Sequence, residues 1–370
     1  MGSQITNGDI VKIYLVGGAV RDKLLGREIK ERDFVVVGAT EEQMLQLGFK
    51  KVGRDFPVFL HPKTNEEYAL ARTERKTGKG YTEFSCFAEP SVTLEEDLKR
   101  RDLTINAMAE DDAGNIIDPY NGRADLKNKI LRHISETFAE DPVRILRIAR
   151  FAAKFGDFTV HPSTITLMKK MLADGEVDAL VPERVWQEFI RALSENNPER
   201  FFEVLNDCDV LPKLFPEINS IFSQAIINLS KATKISQKTT VRFAAIFQSL
   251  TIQELSNFCR RLKVPAKYKK LASLTIINKA EFEKTDQLSP TETLELLEKL
   301  DAFRNRDRFE EFLLASETAL PIENFPSPQF VKLRDSLNRI STLNIKNLIA
   351  KNLSGTEIKK IIHEARLKQL

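Results

Sequence analysis

The sequence predicts an α+β chain in which a small head with a mixed sheet is followed by an all-helical neck, body and tail. Three observations predict it. Short β-runs at 13–16, 34–37, 57–60, 67–71 and 115–118 alternate with helix-forming stretches up to about residue 130. From Pro142 onward the pattern is almost wholly helical, with Leu146, Ala149, Phe151 and Ala153 packing one segment and Val185, Phe189 and Leu193 another. Leu211-Pro-Lys-Leu-Phe-Pro, and later Pro321, Pro326 and Pro328, punctuate the helices. The expected bounds are 11–135 for the head, 136–218 for the neck and 219–370 for the body and tail.

The head opens with Ile13 to Val16, a short strand that breaks at Gly17-Gly18 and continues as a helix. That helix runs from Ala19 to about Leu25, carries Arg21 and stops at Gly26. Glu31-Arg32-Asp33 then leads into Phe34-Val-Val-Val. Strand residues two apart point to the same side, so Glu31 and Asp33 are expected to project together. Paired carboxylates near a Gly-Gly turn at a helix start suit Mg²⁺ and a phosphate chain in one place. Gly18 lets the backbone approach phosphates, and Arg21 sits one turn into the helix, within reach of them. Read alone, the same stretch is also an ordinary βαβ turn with two solvated acids.

Composition narrows the field. A chain of 370 residues, 42% of them hydrophobic, can build two or more cores. The formal charge of +3 is nearly neutral, so affinity for nucleic acid must come from local patches. Cys86, Cys208 and Cys259 form no CxxC pair and leave one over, the usage of a reduced, cytoplasmic protein. No long apolar run or signal-peptide pattern occurs, which argues against a membrane or secreted protein.

Further motifs follow in order. After GGAVRDKLLGR and ExD come VGRDFPVFLHP (Val52 to Pro62), EEYALARTERK, RRDLTINAMA, IIDPYNG and EDPVRILRIARF. Together they resemble class II tRNA nucleotidyltransferases, the CCA-adding enzymes and their poly(A) polymerase relatives. The resemblance spans roughly Lys12 to Ile218, is strongest toward the bacterial CCA-adding enzymes, and is far more specific than any one motif. It implies a polymerase-β-like nucleotidyltransferase head, two Mg²⁺ ions, CTP and ATP as substrates, and tRNA as partner. The implied activity is template-independent addition or repair of the 3′-terminal CCA of tRNA.

Nucleotidyl transfer needs the primer 3′-hydroxyl made nucleophilic and the α-phosphate made electrophilic, which two Mg²⁺ ions do together. The resemblance makes Glu31 and Asp33 the metal ligands. Glu67 is a third catalytic carboxylate, with neighbouring Glu66 as the alternative. The family commonly carries Asp-x-Asp, so Glu31 departs from it by one methylene. Its carboxylate is retained, which keeps the ligand chemistry; a weakened or dead site is the rival reading. Arg100-Arg101-Asp102 in isolation is a solvated charged face. The resemblance instead makes Arg101 and Asp102 binders of the nucleotide sugar and phosphate, with Asn106 in support.

No template is encoded, so base choice lies in the protein. Asp141 and Arg144 stand one turn apart at the start of a helix, on a shared face. A carboxylate accepts from the exocyclic amino group of C or A. An Arg donates to a ring nitrogen that is unprotonated in C and A but protonated in U and G. The pair therefore admits CTP and ATP and rejects UTP and GTP, by the logic of base-edge readout. The plainer reading is a helix-stabilising Asp141 and a surface ion pair for Arg144. Arg147 and Arg150 fall near the nucleotide by resemblance. Thr73 to Tyr81, with its glycines and mixed charges, is a mobile-loop candidate that in this family helps the switch from C to A.

The remaining residues read as structural. His61 and His133 have no task in two-metal transfer, Trp186 packs the neck, and Cys208 and Cys259 are buried fillers. Ser289-Pro-Thr-Glu292 has the form of a capping box with Pro at the first helical position. Basic groups in the tail, Arg260-Arg261-Leu-Lys263, Lys267 to Lys270 and Lys359-Lys360, suit tRNA phosphates or simple solvation. No histidine lies between His161 and His363, so the His/Asp phosphohydrolase site of many bacterial relatives is absent from this region. Alternatives within the fold are a CC-adding or A-adding partial enzyme or a poly(A) polymerase. Outside it stands an inactive tRNA-binding protein.

Overall fold

The computed structural model describes residues 4–6, 9–52, 58–76, 84–321, 325–344 and 354–370. They fall into two units, Met1–Glu188 with Arg200–Val210 and Phe189–Glu199 with Leu211–Leu370. The first unit is α+β. Its strands are β1 (Gln4–Thr6), β2 (Asp9–Val16), β3 (Asp33–Val37), β4 (Lys50–Val52), β5 (Val58–Leu60), β6 (Glu67–Leu70), β7 (Thr73–Lys76), β8 (Phe84–Phe87), β9 (Ala109–Glu110), β10 (Ile116–Ile117) and a short parallel pair, β11 (Ile130–Leu131) and β12 (Thr159–Val160). The main sheet runs in the order β10-β9-β2-β3-β6-β5-β4, with β1 paired to β2, while β7 and β8 form a separate pair. Only β3 and β6 pair in parallel within the main sheet, which makes it mixed.

Two-residue alternation assigns each strand residue to one of two cores. Phe34 and Val36 pack with Val11, Phe59, Tyr68 and Leu70 on one face. Val35 and Val37 pack with Val16, Ala71, Leu98 and Ala107 on the other. Asp33 has the parity of Val35, so it stands at the strand's start on the face that carries Leu98 and Ala107. That face bears the site.

The helices that matter to it are α1 (Gly18–Leu24), α2 (Glu41–Gln46), α3 (Leu94–Lys99), α4 (Gly122–Lys127), α5 (Val143–Lys154), α6 (Pro162–Ala173) and α7 (Pro182–Ser194). Thr93 starts α3 with a capping box: its hydroxyl accepts from Glu96 N, and the Glu96 carboxylate accepts from Thr93 N at 2.9 Å. The same device at Thr40 and Gln43 starts α2. On α5, Ile145, Leu146, Ile148, Ala149 and Ala152 are fully buried. Arg144, Arg147 and Arg150, spaced three apart, form a separate half-buried stripe. Leu98 is fully buried in α3, so truncating it to Ala costs about 2–5 kcal/mol.

The described residues of the second unit are helical. Its core is a cluster of fully buried rings, Phe189, Phe215, Phe243, Phe247 and Phe258, with centroids from 4.6 Å apart. Buried Arg242 donates to the carbonyls of Leu193 (2.7 Å) and Glu195 (2.8 Å) at the end of α7. Ser289 caps the helix Pro290–Lys299 in a capping box with Glu292, and Pro290 holds the first turn, as expected from sequence. No described helix is long and apolar enough to cross a membrane.

Candidate active site

A cleft of about 490 Å³ in the first unit is built where the β2–α1 turn meets the segment around Arg101 and the polar stripe of α5. The turn contributes Gly17, Gly18 and Arg21. Gly17 has φ 70° and ψ −128°, a backbone open in practice to glycine alone. A Cβ there would stand 2.7 Å from Arg101 Nη1, so the turn and the guanidinium are fitted together. Gly18, the expected point of close approach, has ordinary helical backbone; a Cβ on it would meet the Arg21 guanidinium at 3.3 Å.

Behind the turn runs a buried polar chain. Arg21 donates from Nη1 to the Asn106 side-chain oxygen and from Nε to Asp22 at 2.8 Å. The Asn106 amide donates to Asp102 at 2.9 Å, and Arg147 donates to the second Asp102 oxygen at 2.8 Å. Asp102 also accepts from Leu103 N at 2.8 Å. Burial alone would push this carboxyl up, but Arg147, the Asn106 amide and Arg144 outweigh it and leave it at about 2. A second buried carboxylate, Asp97, anchors both neighbouring arginines. It accepts from Arg100 at 2.8 and 3.0 Å, from Arg101 at 3.3 Å and from the Arg72 backbone at 3.3 Å. The cationic groups are thus oriented before any ligand arrives.

The α5 side of the cleft holds Asp141, Arg144, Arg147, Arg150, Phe151 and Lys154, joined by Arg184 from α7. Asp141 accepts from Val143 N at 3.1 Å, as a helix-start acid does, and takes a two-pronged ion pair from Arg184 at 3.0 and 3.2 Å. The Arg144 side chain has other partners. Its guanidinium donates to the carbonyls of Arg100 (2.6 Å) and Thr137 (3.1 Å), tying three segments together. Arg150 pairs with Glu188 at 2.7 Å and lies over the Phe151 ring at 4.8 Å, with Arg21 on the same ring at 5.5 Å. Eight cationic side chains and three carboxylates line the cleft. A chain that is nearly neutral overall therefore lines one cleft with five more cations than carboxylates, several of them paired from behind by Asp22, Asp97 and Glu188.

The carboxylates differ from expectation in part. Asp33 lines the cleft, whereas Glu31 and Glu67 do not. Glu31 is exposed and lies two residues before β3, so strand alternation does not set its direction. The reason is pairing: β2 ends at Val16 opposite Asp33, the chain turns at Gly17, and no partner strand remains for Glu31. Glu31 is still close enough to act on Asp33. Crowding by protein raises the Asp33 carboxyl even at the cleft's exposed mouth, Arg101 lowers it, and the Glu31 charge raises it further. Glu67 is the register partner of Asp33 across the parallel β3–β6 pair. Glu66 precedes β6, accepts from Thr64 at 2.8 Å and pairs with Arg32 at 3.8 Å. Among the described residues no three or more His, Cys, Asp or Glu are gathered to hold a metal ion.

Other expectations resolve simply. His61 is buried, accepts from Thr64 N at 3.2 Å and stacks on Tyr68. His133 lies 2.8 Å from the Thr164 hydroxyl. Trp186 is buried, and Cys208 and Cys259 are buried thiols pushed up to about 12 and about 11, chiefly by desolvation. Of the loop candidate, Thr73–Lys76 is strand β7, paired to β8, and 77–81 lie outside the described residues. Sequence reasoning placed Gly17 in the turn but missed Asp97, Lys154 and Arg184. For Asp97 the signal was present, as it stands three and four residues before two arginines on one helix face. Arg184 lies 43 residues from Asp141 and had none.

Comparison with known proteins agrees with this geometry. The Poly A polymerase head domain model matches residues 13–132, and the model for the probable RNA and SrmB-binding site of polymerase A matches 157–222. The CCA-adding enzyme of Coxiella burnetii is 48% identical over 97% of this chain and 95% of its own. The Multifunctional CCA protein of Thioalkalivibrio sulfidiphilus is 48% identical over 97% and 98%. A Thermotoga maritima CCA-adding enzyme solved with tRNA shares the fold, with a TM-score of 0.70 at 23% identity over 97% of this chain and 87% of that one. At nearly half identity along almost its whole length, this chain belongs to the CCA-adding enzymes, whose head is that of the poly(A) polymerases.

Proposed function

We infer that the chain is a template-independent nucleotidyltransferase that builds or repairs the 3′-terminal CCA of tRNA from CTP and ATP, releasing diphosphate. The observation that carries this reading is the cleft. Its eight cations and Gly-Gly turn surround the face on which Asp33 stands, in a chain whose near relatives are CCA-adding enzymes. In this reading residues 11–135 carry catalysis, 136–218 select the base, and the basic helices of 219–370 track tRNA phosphates. Three cysteines without a CxxC spacing suit a cytoplasmic setting.

The residues divide the work. The Gly17-Gly18 turn, Arg21 and Arg101 receive the triphosphate, and Arg147 and Arg150 extend the positive field along it. Asp102 and Asn106 hold Arg21 and Arg147 in place and face the sugar. Asp141, clamped by Arg184, accepts from the amino group of C or A, and Arg144 donates to the ring nitrogen. Mg²⁺ fits the donor set: it is a hard cation usually held by one or two carboxylates, with substrate phosphates supplying further oxygens. Glu31 and Asp33 would hold it, with Glu67 beside Asp33. When bound, two such ions supply activation of the 3′-hydroxyl and neutralise charge at the α-phosphate.

The test offers tRNA ending before C74, after C74 or after C75 with both CTP and ATP, one of them labelled. A CCA-adding enzyme extends all three to the same end and stops. A CC-adding enzyme leaves the last substrate untouched, an A-adding enzyme uses only that one, and a poly(A) polymerase continues past A. Gel-shifted tRNA without incorporation would overturn the enzymatic reading and make Glu31 the lesion.

A further inference from the structure

A second cleft, of about 510 Å³, adjoins the first. Phe87, Val92, Lys99, Arg100, Thr137 and Arg144 contribute to its wall. Arg100 and Arg144 line both clefts, and the hydrogen bond from Arg144 to the Arg100 carbonyl runs along the partition. We propose that this second cleft seats the 3′-terminal nucleotide of the acceptor RNA, with Phe87 as the surface on which its base stacks. The proposal rests on the nucleotidyltransferase reading above.

Three features point to that occupant. The first is Phe87 itself, 53% exposed at the end of β8. Among the described residues the only other exposed aromatic is Phe325, which has Phe330 edge-on at 5.7 Å. An aromatic left open beside a cationic wall is the usual means of holding an unpaired base, since every base offers a π-face. The second is charge. Lys99, Arg100 and Arg144 are offset by Glu96 and Glu140, and Glu96 is already engaged in capping Thr93. With the shared Arg100 and Arg144 counted here, one positive charge is left over, which suits a base, a sugar and one phosphate. The third is continuity. A polymerase must place the primer's 3′-hydroxyl next to the incoming nucleotide, and two compartments with a common arginine wall provide adjacent seats of similar volume.

The test uses Phe87→Leu, which keeps apolar bulk and removes the ring, and Phe87→Tyr, which restores it. On tRNA lacking its CCA, Phe87→Leu should raise KM for tRNA about tenfold, the scale of one lost stacking contact. KM for CTP should stay within about twofold, and Phe87→Tyr should behave as the unsubstituted chain. A binding titration with 2-aminopurine as the last base of the tRNA needs no turnover. Its fluorescence should be quenched by the unsubstituted chain and by Phe87→Tyr, and less so by Phe87→Leu. A rise in KM for CTP in place of tRNA would overturn the proposal and give the cleft to the incoming base. Equal quenching by all three chains would also overturn it. If the unsubstituted chain incorporated no CMP yet quenched 2-aminopurine through Phe87, the seat would stand while the CCA-adding reading fell.

Discussion

Removing the charge of Asp102 should weaken the first unit by an amount that its titration sets. The carboxyl is held at about 2 against an ordinary value of 3.8. At 1.36 kcal/mol per unit, the ionised form is favoured in the folded chain by about 2 kcal/mol. Asp102→Asn mimics the protonated state and keeps the side-chain shape, so it should lose about that much at pH 7. The pH dependence carries the sign. A depressed carboxyl contributes its full stability above the unfolded value near 4 and loses it as pH falls toward 2. The gap between the two chains should therefore be complete at pH 7 and pH 5 and about half as large at pH 3. The assay is denaturant unfolding followed by Trp186 emission. Trp186 is the chain's single tryptophan and is buried on α7, in the part of that helix that belongs to the first unit. Equal stability of the two chains at pH 7, or a gap that does not shrink at pH 3, would refute the reasoning.

Other expectations concern the cleft. Asp33→Ala should abolish incorporation and leave tRNA binding nearly unchanged by gel shift, while Glu31→Asp should retain or raise activity; near-normal turnover in Asp33→Ala would remove Asp33 from the metal site. Asp141→Ala should relax rejection of UTP by about 1–3 kcal/mol of discrimination, and Arg144→Ala should impair CTP and ATP alike, both read from competition among the four nucleotides. A uniform loss with unchanged preference would reduce Asp141 to a helix-start residue. Gly17→Ala should cost about 1–3 kcal/mol in backbone strain and displace Arg101, raising KM for CTP more than KM for tRNA. An unchanged CTP constant would mean that the turn and Arg101 are not fitted for the phosphates.

Much of this was legible because local pattern and distant pairing agreed. The runs at 13–16 and 34–37 are central strands whose two-residue alternation feeds two cores, and they emerged as β2 and β3. The capping boxes and the three-residue spacing of Arg144, Arg147 and Arg150 are local signals too. What escaped depends on partners far along the chain. β4, β7, β8 and β9 have two to four residues each and owe their extended form to the strand beside them. Asp141 and Arg144 read from sequence as two base-facing groups on one helix face; their further partners, the carbonyls of Arg100 and Thr137 for Arg144 and the Arg184 guanidinium for Asp141, lie outside that local pattern. Gly17 in place of Gly18 as the strained glycine follows from where the helix begins, a matter of one residue that sequence patterns do not fix.

The parallel pairing of β3 with β6 has one more consequence. A slip of one residue would bring Glu66 or Tyr68 opposite Asp33 and carry the remaining β6 side chains to the wrong face. What opposes the slip lies away from the cleft, where Tyr68 stacks on Phe34 at 4.5 Å within the other core. Packing on the far side of the sheet therefore decides which of two adjacent glutamates stands beside Asp33. A substitution at Phe34 or Tyr68 that loosened this stack would reach the chemistry as a proofreading error in strand alignment, without touching any residue of the cleft.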